Sequence, residues 1–237
     1  MKNLILTLVL LLIPSSASCW WLISSQEVAT PSANCITLGG NLLQESFDST
    51  GYDDGDWAED PNNPDEDNTD TLTNAPCFTG KYLKGSGTDI WARNTFTSSA
   101  EIYISFYVYF SAESIASGSD ADTGWTESPK LTFQLHDDSG TLSYMFYFAT
   151  DNGSVTVTLD TQYLVQVRLN DTTNEMDWYV YDKDESLIGS STAISISASG
   201  SFGKLLLGPV NNSESITVYH DLVDISTTGF PTGSPAK

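Results

Sequence analysis

The sequence predicts an all-β fold, a sandwich of two antiparallel sheets. Three observations predict it. Glu101–Phe110 alternates strictly, with Ile102, Ile104, Phe106, Val108 and Phe110 set against Tyr103, Ser105, Tyr107 and Tyr109. A strand sends successive side chains to opposite faces, so one side of this run is made for a core. From Lys81 onward, short β-like runs recur between turn residues, with no helical periodicity of useful length and no solenoid or propeller repeat. Hydrophobic residues make up 40% of the 237, enough for one large core, and all-β domains of this length need not split.

In chain order, Asn41–Asp48 reads as a short first strand after a Ser/Thr/Pro/Asn-rich arm spanning 20–40. Eleven acidic and no basic residues lie between Glu45 and Asp70, and Pro61 and Pro64 exclude a helix interior; this reads as a long acidic loop. Lys81–Lys84 and Asp89–Phe96 precede the alternating strand, and a Ser/Gly/Asp-rich loop follows it as far as Pro129. Leu131, Phe133 and Leu135 alternate with Thr132, Gln134 and His136, and Leu142, Tyr144, Phe146 and Phe148 alternate with Ser143, Met145 and Tyr147. Asp151-Asn-Gly153 signals a hairpin, because Asn-Gly accepts the positive φ of tight turns. Ser154–Leu159, Tyr163–Leu169, Glu175–Tyr181, Ala193–Ala198, Lys204–Leu207 and Ile216–Ser226 complete a set of strands suited to two packed sheets.

A net charge of −22 argues against nucleic acid, whose phosphates need clustered cations, and against anionic membrane surfaces. Lys2, the apolar run Leu4–Ile13 and the small residues around Ala17 predict a signal peptide over 1–19, too short to span a bilayer comfortably. The expected location is therefore outside the cytoplasm, secreted or at the cell surface, with no transmembrane helix. Cys19 at the boundary is a candidate lipidation site, although Ser16 stands where such sites usually carry Leu. Cys35 and Cys77 remain as an even pair in an oxidising compartment, the setting for a disulfide.

Glu101–Phe110, Gln162–Arg168, Met176–Tyr181 and Val218–Ser226 together resemble the concanavalin A-like jelly roll, particularly bacterial laminin G-like domains. The resemblance spans residues 41–230, leaving 231–237 as a tail. It implies that Asn41–Phe47 pairs beside Ile216–Ser226, and it carries no catalytic signature. The glycosidase branch of this fold uses alternating carboxylates on one strand, a pattern absent here. The lyase branch carries a Gln-x-His strand with an arginine and a tyrosine. Gln134, His136, Tyr147 and Arg93 (or Arg168) are the counterparts here, whereas the Arg-x-Glu-Leu-Arg and Tyr-Phe-Lys motifs are missing. Such a lyase neutralises a uronate carboxylate and removes the C5 proton.

Asp65, Asp67 and Asp70 group hard oxygen ligands of the kind calcium takes, although the EF-hand spacing is not met. A solvated acidic loop explains them equally well. Tyrosine rings stack on pyranose faces and offer a hydroxyl, so Tyr103, Tyr107 and Tyr109, with Gln134, His136, Tyr147 and Arg168, form the expected ligand-binding set. Gln134 and Tyr147 are expected on strands of the same sheet as the tyrosines. Trp125 stands in the expected Gly/Ser/Asp loop, where exposure would point to contact. The leading expectation is an exported, non-catalytic domain that binds a polysaccharide or other glycan on a concave, tyrosine-lined sheet, assisted by calcium. The alternatives are a polysaccharide lyase and a structural adhesion module.

Overall fold

The computed structural model describes residues 35–47, 57–59, 65–68, 70–127, 131–148, 150–196, 200–210, 213–233 and 235. The expected signal peptide and Cys19 lie outside the described residues. What is described is an all-β sandwich of two antiparallel sheets, with no helix among the described residues.

One sheet has eight strands. Its order is β13 (Leu187–Ser195), β12 (Glu175–Tyr181), β11 (Gln162–Asn170), β6 (Glu101–Ser114), β15 (Ser215–Ser226), β4 (Tyr82–Gly87) and β3 (Asp65–Asn68), with β1 (Leu43–Glu45) also on β15. The other has seven: β10 (Thr150–Thr156), β9 (Thr141–Phe148), β8 (Thr132–Asp138), β7 (Ser119–Glu127), β14 (Phe202–Leu207), β5 (Ala92–Ser99) and β2 (Trp57–Glu59). The first strand pairs with the last, Leu43 opposite Ile225 and Glu45 opposite Val223, as the jelly-roll resemblance implies.

The alternating strand β6 sits at the centre of the eight-stranded sheet, between β11 and β15. Ile102, Ile104, Phe106, Val108 and Phe110 all enter the inter-sheet core, where they meet Phe133, Leu135, Tyr144 and Phe146 of the opposite sheet. His220 of β15 also faces this core. It is fully buried against the Phe106 ring, its two ring nitrogens have no hydrogen-bond partner, and burial depresses its pKa to about 3.

Several expectations need correction. The segment read as a loop before Pro129 contains β7, because Ala121, Thr123, Gly124 and Thr126 supply a buried face that the polar composition disguises. The acidic run contributes two short edge strands, β2 and β3, whose pairing needs no apolar alternation. Asn152-Gly153 falls at a register shift between β9 and β10, with Gly153 at φ 117°, so it forms a bulge and not the turn itself. The edge strand β13 begins at Leu187, six residues before its expected start at Ala193.

A second apolar cluster lies on the outer face of the eight-stranded sheet. Residues 35–40 and 70–80 form a roof there, joined by the Cys35–Cys77 disulfide, which closes a 42-residue separation. Ile36, Ala75 and Phe78 pack over Tyr82, Tyr107, Tyr109, Leu164 and Tyr219. Ile36 donates its backbone N–H to the Tyr107 hydroxyl, and Cys77 donates to Gln162 Oε1. The arm is then pinned to β15, because Gly39 and Gly40 donate to the buried Asp224 carboxylate at 2.6 and 2.7 Å. Burial pushes the Asp224 pKa up, and those two N–H groups act against it.

Candidate functional site

The structure divides the expected ligand-binding residues between the two outer faces of the sandwich. Tyr103, Tyr107, Tyr109 and Arg168 lie on the outer face of the eight-stranded sheet, and Gln134, His136 and Tyr147 lie on that of the seven-stranded sheet. The expectation that Gln134 and Tyr147 share a sheet with the tyrosine strand is therefore overturned. The two sets are separated by the core, and two packed sheets alone stand about 10 Å apart.

The tyrosine face is not a trough. Tyr107 and Tyr109 are each 2% exposed beneath the roof, and burial raises the Tyr107 pKa to about 12. Tyr109 meets Phe78 and Tyr219 edge-on and reaches Asp160 through its hydroxyl. Tyr103 packs edge-on against Phe230. Arg168 is held by Glu101 at 2.7 Å and Asp177 at 2.9 Å. Burial works to raise the Glu101 pKa, but hydrogen bonds from Arg168 and Asn170 outweigh it and hold the carboxyl below its ordinary range. These groups satisfy one another and serve the fold. The tyrosines that read as a sugar platform are instead the floor of a second core, because a strand's polar-side aromatics are available only where nothing covers them.

The other outer face is partly open: Tyr147 is exposed and Gln134, His136, Trp125 and Arg93 are half-buried, whereas Thr132 and Leu206 between them are buried. On β8, Gln134 and His136 point outward while Phe133 and Leu135 enter the core. Across β7, Gln134 Nε2 donates to Asp122 Oδ1 at 2.8 Å and His136 Nδ1 meets Asp120 Oδ1 at 2.6 Å. These parallel pairs orient both side chains and leave Gln134 Oε1 and His136 Nε2 for a ligand. Tyr147 of β9 is 39% exposed on the same face. In register it faces Thr132, which in turn faces Trp125 of β7. The row continues through Leu206 of β14 to Arg93 of β5. With strands spaced about 4.8 Å apart, Tyr147 and Trp125 stand about 10 Å apart, roughly two pyranose rings. A cavity of about 190 Å³ opens on this face one step further along the strands, lined by Thr95, Ser98, Glu127, Ser201, Gly203 and Lys204.

Sequence reasoning missed Asp120 and Asp122, which gain their meaning only from the β7–β8 register. It also left Trp125 in a loop that the structure makes a strand. The four lyase counterparts share this face without converging. Arg93 lies three strands from β8, about 15–20 Å from Gln134 and His136 when spacing and rise are combined, too far for one sugar unit. Of the expected calcium ligands, the side chains of Asp65 and Asp67 lie outside the described residues. Asp70 accepts from Lys84 Nζ at 2.8 Å and from the Tyr219 hydroxyl. Among the described residues, no group of three or more His, Cys, Asp or Glu is placed to hold a metal.

No family model and no curated protein matches the sequence. Solved structures match the fold. A "Cellulose induced protein, Cip1" aligns with TM-score 0.53 and 16% identity over 80% of this chain and 99% of that one. The receptor binding domain of botulinum neurotoxin C/D mosaic serotype aligns with TM-score 0.50 and 10% identity, over 73% of this chain, which spans only 43% of that one. The catalytic domain of a glycoside hydrolase family 131 protein from Coprinopsis cinerea aligns with TM-score 0.45 and 14% identity, over 81% of this chain and 88% of that one. At these identities the first two likenesses establish the jelly-roll sandwich and nothing finer.

Proposed function

We propose that this chain is an exported, non-catalytic glycan-binding jelly roll whose ligand lies on the outer face of the seven-stranded sheet. One observation carries the reading: the tyrosine face is roofed, while Tyr147, Trp125, Gln134 and His136 share a partly open face whose polar groups are already oriented. Aromatic faces stack on pyranose rings, and the oriented Gln and His accept hydroxyl hydrogens. The expected signal peptide and the Cys35–Cys77 disulfide support export to an oxidising compartment. The test is a glycan array probed with wild type, Tyr147→Ala and Tyr107→Phe. Binding lost in Tyr147→Ala and kept in Tyr107→Phe supports this face; the reverse pattern overturns it. No binding to any glycan favours the adhesion module.

A second reading, a polysaccharide lyase, is favoured by one contact. Asp120 holds His136 Nδ1, the arrangement that presents Nε2 as a general base. Incubation with uronate polymers tests it, since unsaturated product that appears with wild type and vanishes in His136→Ala would establish the lyase. The distance of Arg93 from His136 argues against it.

A further inference from the structure

Cations are scarce in this chain, nine against thirty-one acidic residues. Lys84, Arg168, Lys183 and Lys204 are all ion-paired. Arg93 is different. It is half-buried on β5, and its Nε is buried without a hydrogen-bond partner. Among the described residues, no carboxylate pairs with its guanidinium. A guanidinium carries five donors in a rigid fork that matches a carboxylate or sulfate, and a protein of net charge −22 has many carboxylates to offer it. This one is left facing the same surface as Tyr147 and Trp125, at the end of the row that runs through Thr132 and Leu206. The cavity lined by Thr95 and Lys204 begins two residues along its own strand.

The opposite end of the row has the other polarity. With Gln134 Nε2 and His136 Nδ1 committed to Asp122 and Asp120, Gln134 Oε1 and, on a neutral imidazole, His136 Nε2 are the outward acceptors there, beside two carboxylates. That end suits sugar hydroxyls and repels anions.

We propose that Arg93 is a specificity determinant that recognises a single anionic substituent, a carboxylate or a sulfate, on an otherwise hydroxyl-rich glycan lying along this row. The inference rests on the glycan-binding reading above. It excludes a uniform polyanion, which the acceptor end and the overall negative charge oppose.

An array of neutral, uronate-bearing and sulfated oligosaccharides, probed with wild type, Arg93→Gln, Arg93→Lys and Tyr147→Ala, tests it and separates the two anion sources. The expected result is that wild type binds singly charged oligosaccharides about tenfold or more tightly than their neutral counterparts, the scale of a charge-assisted hydrogen-bonded pair. Arg93→Gln abolishes that preference and keeps neutral binding, Arg93→Lys restores part of it, and Tyr147→Ala loses both. A salt titration of wild type on its best anionic ligand needs no variant, and affinity must fall as NaCl rises. Equal binding of charged and neutral ligands, a preference that survives in Arg93→Gln, or salt-independent affinity overturns the role of Arg93 while leaving the glycan face intact. Absence of all binding removes both.

Discussion

Replacing His220 by leucine should stabilise the protein, and by more in acid than at neutral pH. The imidazole is 0% exposed between the sheets, lies against Phe106 with ring centroids 5.6 Å apart, and has no hydrogen-bond partner at either nitrogen. Burying a polar group unpaired costs about 1–3 kcal/mol, whereas the altered shape of leucine costs less than about 1.5 kcal/mol. At pH 7.5 the balance runs from near zero to a gain of about 3 kcal/mol. The folded pKa lies near 3, depressed by burial from the ordinary 6.5. Above the unfolded value neither state binds a proton, and the linkage is silent. As pH falls below it, the unfolded chain takes up a proton that the folded chain refuses, and stability declines until the folded pKa is reached. At pH 5 that penalty is about 2 kcal/mol, absent from His220→Leu. Urea unfolding of both proteins at pH 7.5 and pH 5 reads it directly. A stability difference that does not widen between the two pH values, or a leucine variant that is markedly less stable, refutes a core-facing, unpartnered imidazole.

Two further outcomes follow from the roof over the tyrosines. The double substitution Cys35→Ser, Cys77→Ser removes a cross-link over 42 residues and should lower stability by about 4 kcal/mol in the chain-entropy model; an unchanged melting temperature would show the bond to be dispensable. Gly40→Ala places a Cβ 2.3 Å from the Ile225 carbonyl oxygen, so the arm must lift from Asp224. A loss of at least about 2 kcal/mol is expected, and proteolysis of the N-terminal arm should accelerate; unchanged stability and cleavage would mean that this close approach does not hold the arm.

The strands were legible because their signal is local. Ile102, Ile104, Phe106, Val108 and Phe110 announce a core-facing strand from a period that ten residues contain, and the structure buries all five. Cysteine parity and the oxidising compartment implied by the expected signal peptide paired Cys35 with Cys77, and they are bonded. Strands without alternation escaped notice. β7 hides its inward face behind Ala121, Thr123 and Gly124, and β2 and β3 lie in a run whose composition reads as loop.

The candidate site divided along the same line. The outward direction of Gln134, His136 and Tyr147 followed from alternation within their own strands. Everything that gives these residues a role is non-local: Asp120 and Asp122 reach them through the register of β7 on β8, and Arg93 joins their face through two further strand pairings. Alternation by itself determined which side of each strand avoids the core. Which of those sides meets water was decided only by the tertiary structure, where a disulfide-tied roof covers the tyrosines of β6 and leaves the face of β8 partly open. The physical reason is that period-two patterning records a side chain's direction, whereas exposure depends on segments dozens of residues away in sequence.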